Sequence, residues 1–484
     1  FVLHKSYLSL LSQSMSFTRS KIICTIGPAT SSIAMLRKLH KAGMNVVRIN
    51  MSHATHRSAA SIISKINRIN TEMNGLSQQI GILLDTQGPE IRTGDTSLPI
   101  ELKVGDQVTL TVRDQVDVET SSIKVNYKDL VHSVDVGSRV SVDNGLINFK
   151  VLSKDSDTLL CKVLHGGKLG SKRHVNLPGV RINLPSITHK DIQDINFGIK
   201  HDVDFIAASF VRNANDLEIL GDILKKKKSS AKIIAKIENQ EGLDNIDEIC
   251  QSAWGVMVAR GDLGIETSLT DLPNIQRNIM FACAKWGKRS IVATHLLESM
   301  INNPTPTRAE VTDIANAIYE GADAVMLSGE TSIGKYPIDC VEFLKSISNK
   351  TEKFKTLEYE KNLIRNSDWE HIAVAAKNLA EAIDADGIIA VTRTGATAYY
   401  ISNAKPNGIP IFTFTNNKST FKQLSLVGST ISFFIPRLNN HNKTLKEAEV
   451  VLKKYYKKKK NLKFIMVSGI FSEDHSEAIQ IINF

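Results

Sequence analysis

The chain has 484 residues, of which 42% are hydrophobic and 23% are charged, and its formal net charge is +10. A chain of this length is too long for one ordinary hydrophobic core, so we expect two to four domains. No window holds the roughly 18 uninterrupted apolar residues that a membrane helix needs, so we expect no membrane partner.

The basic excess is concentrated in two lysine-rich runs, at residues 225–228 and 453–463. Such runs occur in proteins that bind nucleic acid, but they are more typical of solvated helix ends. No module that combines aromatic and basic residues accompanies them. We therefore expect no nucleic-acid partner.

The five cysteines are scattered along the chain and form no CxxC pair. Isolated cysteines in odd number are typical of reduced thiols in a cytoplasmic protein rather than of a disulfide framework. Residues 1–20 are predicted to be disordered or an N-terminal extension, because Met15 begins the string MSFTRSKII that leads into the first apolar run.

From residue 21 the chain repeats one unit, in which an apolar run, a polar tip and an amphipathic helical stretch follow one another. Eight such runs predict a closed parallel (β/α)8 barrel. The runs are residues 21–26, 45–49, 80–84, 203–208, 232–237, 254–258, 290–293 and 322–327. In such a barrel the chemistry lies at the C-terminal ends of the strands, which we call the active rim.

Charged side chains stand at two neighbouring strand ends of the active rim. Lys236 and Glu238 end one apolar run, and Arg260 and Asp262 end the next. Two carboxylates at neighbouring strand ends predict a site for a hard divalent cation, and an ammonium beside them suits a phosphoryl group or an oxyanion. The alternative is a structural network of Lys–Glu and Arg–Asp ion pairs.

The repeat is interrupted once, after the third run. Residues 94–185 alternate apolar and polar positions between Gly, Asp and Asn turns, which predicts an inserted all-β domain. It divides the barrel domain into residues 21–93 and 186–350. A domain inserted above the active rim is placed to act as a lid.

Residues 351–484 predict a C-terminal α/β domain with a mainly parallel sheet. The string TRTGAT places residues 392–397 at a strand-to-helix turn, where amides and hydroxyls could hold a phosphate. This is weak evidence for a ligand, because threonine and glycine more often cap helices structurally.

The chain resembles the pyruvate kinase family over residues 21–400, in the ordered strings KIICTIGPAT, GMNVVRINMSHATH, LLDTQGPEIRTG, AKIENQEGLDNIDEI, VMVARGDLGIE and MLSGETSIGKYP. The resemblance implies transfer of a phosphoryl group from phosphoenolpyruvate to ADP, giving pyruvate and ATP in glycolysis. It also implies a cytoplasmic homotetramer.

The resemblance assigns the reacting groups. Lys236, Arg48, Thr294 and Ser328 match the catalytic positions, and Arg48, Lys236, Gly261, Asp262 and Thr294 match the positions that bind the substrate. Glu238 and Asp262 match the ligands of Mg2+ (or Mn2+). Oxygen ligands and a Lewis acid suit phosphoryl transfer, which depends on positioning and charge neutralisation.

A second set of positions matches the cation and nucleotide sites. The K+ ligands implied by the resemblance are Asn50, Ser52, Asp85 and Thr86, and the implied nucleotide-binding residues are Asn50, His53, Arg92 and Arg173. Glu90 is the residue that potassium-dependent members carry, and Asp143 lies where the lid reaches down to the closed site.

The chain departs from the family pattern in three places. His295 and Leu296 stand where glutamine and methionine are usual, and Arg173 and His174 where lysine and glycine are common. The C-terminal residues 469–477 are not glycine-rich, lack the usual tryptophan and contain three carboxylates, which predicts no strong activation by fructose 1,6-bisphosphate. The alternative functions are a catalytically weak relative and a Mg2+-dependent enolate lyase.

Overall fold

The structure is a computed structural model, and it describes residues 17–73, 79–96, 98–113, 122–180, 182–436, 441–457, 459, 461–468 and 478–484. Across these residues, no helix is both long enough and apolar enough to cross a membrane.

The first part of the barrel alternates strands and helices. The elements are β1 (Lys21–Thr25), α1 (Ile33–Ala42), β2 (Val46–Asn50), α2 (His56–Glu72) and β3 (Gly81–Asp85). Helix α2 begins at a capping box, in which the Thr55 side chain accepts from the Ser58 amide and the Ser58 hydroxyl accepts from the Thr55 amide. Such reciprocal bonds satisfy two of the amide groups that a helix start leaves free.

The chain then leaves the barrel and forms the inserted domain. The elements are β4 (Ile100–Leu102), β5 (Gln107–Thr111), β6 (Ser122–Lys124), α3 (Leu130–Ser133), β7 (Arg139–Val142), β8 (Ile147–Lys154), β9 (Thr158–His165), β10 (Gly167–Leu169) and β11 (Val175–Asn176). Six strands form one sheet in the order β11-β7-β8-β9-β5-β6, and β10 pairs with β4. Phe149 and its apolar neighbours fill the core of this domain.

The second part of the barrel completes the repeat. The elements are α4 (His189–Lys200), β12 (Phe205–Ala208), α5 (Ala214–Lys226), β13 (Lys232–Ile237), α6 (Gln240–Asp244), α7 (Ile246–Ser252), β14 (Gly255–Ala259), α8 (Arg260–Glu266), α9 (Leu272–Lys285), β15 (Arg289–Ala293), α10 (Arg308–Tyr319), β16 (Ala324–Leu327), α11 (Gly329–Ser332) and α12 (Pro337–Thr351). A 3-10 helix, Glu298–Ile301, follows β15.

The C-terminal domain is an α/β unit. The elements are α13 (Asp368–Ala382), β17 (Gly387–Val391), α14 (Ala396–Asn403), β18 (Ile411–Thr415), α15 (Lys418–Gln423), β19 (Thr430–Phe434), α16 (His441–Tyr456), β20 (Lys463–Ser468) and β21 (Ala478–Asn483). Two further 3-10 helices are Tyr359–Asn362 and Leu424–Leu426. The sheet order is β19-β18-β17-β20-β21, and only β21 is antiparallel to its neighbour.

Eight parallel strands close into a barrel in the order β1-β16-β15-β14-β13-β12-β3-β2. Each of the eight predicted runs overlaps one of these strands, which confirms the predicted (β/α)8 fold. Apolar side chains such as Leu83, Phe205 and Met257 fill the barrel interior. A second, larger apolar layer packs the strands against the surrounding helices. The barrel interior is therefore a packed core and not a pore.

The C-terminal domain docks on the barrel end opposite the active rim. The Arg289 guanidinium, at the start of β15, lies 5.3 Å from the centre of the Trp254 ring and 5.2 Å from that of the Tyr399 ring. It also donates to Asn403 Oδ1 at 2.7 Å. Trp254 belongs to the barrel, whereas Tyr399 and Asn403 lie on α14. One buried cation therefore joins the two domains.

Residues 17–20, which the sequence assigned to the N-terminal extension, pack against the barrel. The backbone amides of Arg19 and Ser20 donate to the Glu352 carboxylate at 2.7 and 2.9 Å. Both residues are buried. The first sixteen residues of the predicted extension lie outside the described residues.

Replacing Arg289 by methionine should lower the free energy of unfolding by about 2 kcal/mol, because the change removes two cation–π contacts and a buried hydrogen bond. Urea unfolding followed by tryptophan fluorescence measures this loss. The matched control is Arg37→Met, since Arg37 is 44% exposed and pairs with the exposed Glu72. The control should change the stability by less than about 0.5 kcal/mol. Equal effects of the two variants would contradict the role given to Arg289.

Candidate active site

Lys236 is the buried cation of the active rim. Its ammonium lies 2.7 Å from Ser209 Oγ, 2.9 Å from Glu238 Oε1 and 3.1 Å from Asp85 Oδ1. The side chain is only 10% exposed. Strand β13 brings Lys236 to this position because neighbouring strand residues point alternately into the barrel and towards the helices. The Lys–Glu ion pair considered from the sequence is present.

Arg48 is the second cation of this cluster. Arg48 lies in β2, where its Nε donates to Asp85 Oδ2 at 2.6 Å and its Nη1 donates to Thr25 Oγ1 at 2.9 Å. The two Asp85 oxygens therefore face one cation each, Lys236 and Arg48. Asp85 is completely buried.

Burial and charge act in opposite directions on these groups. Burial alone would raise the pKa of Asp85, but the positive charges of Lys236 and Arg48 outweigh it and hold that pKa below its ordinary value. Burial would likewise lower the pKa of Lys236, whereas the Asp85 and Glu238 carboxylates raise it well above the ordinary value. The salt bridges therefore keep both groups ionised at neutral pH.

Glu238 and Asp262 form a pair of carboxyl groups beside Lys236. Burial raises the pKa of both groups, and each is close enough to the other to affect its ionisation. The Phe210 amide donates to Glu238 Oε2 at 2.6 Å and holds that carboxyl in place. Ionising both carboxyl groups in this buried space is energetically costly, and a bound cation would lower that cost.

The two-carboxylate site suits Mg2+, which needs few protein ligands, better than a metal ion whose ligands all come from the protein. In the described part of the chain, no group of three or more His, Cys, Asp or Glu side chains is arranged to hold a metal ion. Mg2+ commonly binds one or two carboxylates and completes its shell with waters and substrate phosphates. Glu238 and Asp262 supply that number of ligands.

Thr294 and Gly261 meet beside Asp262. The Gly261 amide, in the first turn of α8, donates to Thr294 Oγ1 at 2.8 Å, and the Thr294 hydroxyl donates to the Ala293 carbonyl at 2.7 Å. Thr294 and His295 have φ angles of 67° and 54°. This left-handed backbone is strained for a β-branched residue, and such strain is concentrated at functional sites.

Arg260 supports the strained segment. Its guanidinium donates to the carbonyl oxygens of Ala293 and Thr294, and its Nη1 donates to both oxygens of Asp313 at 2.8 and 2.7 Å. The Arg260–Asp262 pair considered from the sequence is therefore wrong, because Arg260 faces α10 and not the carboxylate of its own helix.

Ser328 directly follows β16 at the same end of the barrel. Its amide donates to Glu330 Oε2 at 2.7 Å. Its hydroxyl is buried and has no hydrogen-bond partner among the described residues. A buried hydroxyl without a partner is costly, so this oxygen is available to a ligand or a water.

The residues assigned to the K+ site lie at the adjoining ends of β2 and β3. Asn50 and Asp85 are register partners in the barrel. Asn50 Oδ1 accepts from the Ser52 amide at 3.1 Å. The Thr86 hydroxyl donates to the Ala207 carbonyl at 3.2 Å. The structure thus brings the four oxygen-bearing side chains into one region, where protein groups already bind several of the oxygens.

Of the residues assigned to the nucleotide, one is exposed and two make ion pairs within the protein. His53 is exposed on the loop after β2. Arg92 makes an ion pair with Glu90 at 2.5 Å, and Arg173 makes one with Asp143 at 3.3 Å. The fourth residue, Asn50, lies at the end of β2 beside Asp85.

Ser209 is a member of the site that the sequence reasoning did not select. Its hydroxyl donates to the Thr86 carbonyl at 2.7 Å and accepts from Lys236 at the same distance. Its position just after β12 could have identified it as a rim residue, because every other strand end on the rim also carries a polar residue.

The turn at residues 392–397 is present between β17 and α14. Its Thr392 Oγ1 accepts from the Gly395 amide at 2.9 Å, and Gly395 has a φ of 91°, which favours glycine. Residues 469–477, on which the expectation about fructose 1,6-bisphosphate rests, lie outside the described residues.

Comparisons with known proteins agree with this architecture. The family model of the pyruvate kinase barrel domain matches residues 17–341, and that of the pyruvate kinase alpha/beta domain matches residues 370–482. A pyruvate kinase from Dictyostelium discoideum is 39% identical over 477 residues, which cover 96% of this chain and 93% of the relative. A pyruvate kinase from Staphylococcus haemolyticus is 44% identical over 417 residues, which cover 84% of this chain and 70% of the relative.

A solved structure shares the whole fold. The crystal structure of a pyruvate kinase from Cryptosporidium parvum superposes with a TM-score of 0.91 and 33% sequence identity. The match covers 100% of this chain and 98% of that chain.

Replacing Asp85 by asparagine should lower the free energy of unfolding by about 3 kcal/mol, because two buried cations lose the carboxylate that both contact. Chemical denaturation measures this loss. The matched control is Asp157→Asn, since Asp157 is 45% exposed and pairs with the exposed Arg113. The control should cost less than about 1 kcal/mol. An Asp85 variant as stable as the control would show that the cluster is solvated.

Proposed function

Because the chain belongs to the pyruvate kinase family, whose members transfer a phosphoryl group from phosphoenolpyruvate to ADP to form pyruvate and ATP in glycolysis, we propose that the rim around Lys236 performs this transfer. The observation that carries the proposal is the buried ammonium of Lys236, held between Asp85 and Glu238 beside a second cation, Arg48. A fixed positive charge in a dry site stabilises the charge that develops during phosphoryl transfer.

Lys236 and Arg48 divide the anionic substrate between them. Lys236 is placed to stabilise the enolate oxygen and the phosphoryl group that leaves it. Arg48 uses Nε and Nη1 for Asp85 and Thr25, so its Nη2 remains for a phosphate oxygen. A guanidinium fixed in this way binds a phosphate with a defined orientation.

Glu238 and Asp262 would hold Mg2+ or Mn2+. A bound divalent ion supplies Lewis-acid neutralisation of the phosphate and enolate oxygens. The chain's own contribution is to orient the carboxylates, since the Phe210 amide fixes Glu238 and the first turn of α8 places Asp262.

Thr294 and Gly261 are proposed to bind the substrate carboxylate, and Thr294 and Ser328 to deliver the proton. The Gly261 amide becomes available to a carboxylate when it releases Thr294 Oγ1, to which it donates here. Protonation of the enolate carbon then completes pyruvate, with the proton passing from the Thr294 hydroxyl. The unpartnered hydroxyl of Ser328 supports a relay through water.

Asn50, Ser52, Asp85 and Thr86 are proposed to bind K+, with oxygen ligands that suit a hard alkali ion. Asn50, His53, Arg92 and Arg173 are proposed to contact ADP or ATP. Arg92 lies at the lid hinge and Arg173 on the lid, and their partners Glu90 and Asp143 would have to yield to phosphate oxygens.

The oligomeric state and the domain limits are also proposals. We propose a cytoplasmic homotetramer, with a barrel of residues 21–93 and 186–350, a lid of residues 94–185 and a C-terminal domain of residues 351–484. The five cysteines are free and buried, which supports a reducing compartment. Light scattering after size exclusion measures the assembly.

Lys236→Met should lower the turnover number by a factor of about 10²–10³, because a point charge at the moving phosphoryl group is lost while the side-chain length is kept. Pyruvate release, coupled to an indicator reaction, measures the turnover of the folded variant. Lys232→Met is the control, since Lys232 lies on the same strand at the end away from the rim. A fall of less than tenfold in a folded Lys236 variant would contradict the catalytic role.

Activity should depend on K+ as well as on Mg2+, because four oxygen-bearing side chains converge and Glu90 is an anion near them. Glu90→Lys should relax the K+ dependence by supplying a tethered ammonium. Glu90→Gln, which removes the carboxylate without adding a cation, should not. Rates in K+, Na+ and tetramethylammonium buffers test this point. Equal rates of the parent enzyme in all three buffers would exclude a K+ site.

A further inference from the structure

A cavity of about 130 Å³ lies between the lid hinge and the barrel. Its walls include hinge residues Ile91 and Val180, the rim residue Phe210 and the acidic residue Glu241 of α6. One water needs about 10–15 Å³ of such volume, so the cavity has room for a small organic molecule. None of the residues proposed above for catalysis or for the metal lines it.

The hinge forms one wall and is held from two sides. The Arg212 guanidinium, which comes from the barrel, donates through Nη1 to the carbonyl oxygens of Ile182 and Leu184, each at 3.0 Å. The Asn183 amide between them donates to the Tyr127 hydroxyl of the lid at 3.1 Å. A molecule against this segment therefore touches the point where the lid joins the barrel.

The opposite wall touches the two carboxylates of the proposed metal site. Phe210 lines the cavity with its ring, while its amide donates to Glu238 at 2.6 Å. The His174 ring packs edge-on to Phe210, with 6.1 Å between ring centres, and its Nδ1 lies 4.0 Å from Asp262 Oδ1. The cavity thus adjoins the active site through Phe210 and His174.

The lining combines apolar surface with an excess of negative charge. Pro89, Ile91, Val175, Val180 and Phe210 supply the apolar surface. The acidic residues Glu241, Asp244 and Glu266 also line the cavity, and the positive charge of Arg212 is already balanced by Asp216.

Glu241 is the carboxylate best placed for a ligand. Among the described residues, Asp244 accepts from Gln240 at 2.8 Å and Glu266 accepts from Asn176 at 2.7 Å, whereas Glu241 makes no side-chain hydrogen bond or ion pair. Glu241 is also half-buried, so a charge-assisted bond to it would be only partly screened by water.

We propose that this hinge cavity binds a small molecule that combines an apolar body with one ammonium group. The apolar body would displace water from the surface around Val180 and Phe210, and the ammonium would pair with Glu241. Phosphorylated or carboxylated molecules would be repelled by the carboxylate of Glu241 and are expected to bind more weakly. The proposal does not depend on the catalytic roles given above, because binding is measured without turnover.

The test uses 2-phenylethylammonium as the probe and isothermal titration calorimetry on the full chain. Glu241→Gln should weaken binding about tenfold, the factor expected for losing one hydrogen bond to a charged group. Glu342→Gln removes the same charge from the exposed face of α12 and should leave the dissociation constant unchanged. The neutral analogue 2-phenylethanol should bind the parent about tenfold more weakly for the same reason.

A second variant tests the cavity itself. Val180→Phe fills the apolar part from a half-buried hinge position and should abolish probe binding, with circular dichroism as the check on folding. Unchanged binding by Val180→Phe, or equal weakening by the two glutamine variants, would overturn the proposal. Probe binding that is absent in the parent at millimolar concentration would overturn it as well.

Discussion

Charge balance in a desolvated space is the constraint on which the active rim depends. Lys236 and Arg48 are buried against Asp85 and Glu238, and this set of four is neutral when all its members are ionised. Loss of one member would leave a buried charge unpaired, at a cost of several kcal/mol. Asp262 adds a negative charge beside the set. Burial raises the pKa of both carboxyl groups of the pair, and the charge of Asp262 raises the pKa of Glu238 further. A divalent cation would turn this excess into a positive site that matches an anionic substrate.

Strained backbone conformations are the second feature that fixes the positions of the rim groups. Phe210, two residues after β12, and Thr294, directly after β15, both have positive φ angles. Each such conformation costs on the order of 1–3 kcal/mol and persists only where neighbours hold it. The amide of Phe210 is aimed at Glu238, and the Thr294 carbonyl is held by Arg260, which Asp313 fixes in turn. Strain and hydrogen bonding therefore link the strand ends in two neighbouring pairs, β12 with β13 and β14 with β15.

The sequence predicted the barrel, its rim and the residues Lys236, Glu238 and Asp262, because strand periodicity places each strand end and long motifs identify the charged positions. It did not predict that Arg260 pairs with Asp313, 53 residues away, instead of Asp262. Partner choice depends on how helices cross the barrel, and no local pattern encodes that. Ser209 was missed for a related reason, since a single serine has a role only through the lysine that a neighbouring strand brings to it.

The C-terminal domain contacts the barrel at the end that lies away from the chemistry. Lys422 pairs with Asp204 at 3.1 Å, Lys405 pairs with Asp323, and Arg289 stacks between Trp254 and Tyr399. Barrel strands of four to six residues separate these contacts from the rim, a span of about 13–20 Å at 3.3 Å per residue. A strand paired on both sides is stiff along its length. A change in the C-terminal domain would therefore reach the rim through tilting of whole strands and their helices, and not through a chain of side-chain rotations inside the packed barrel.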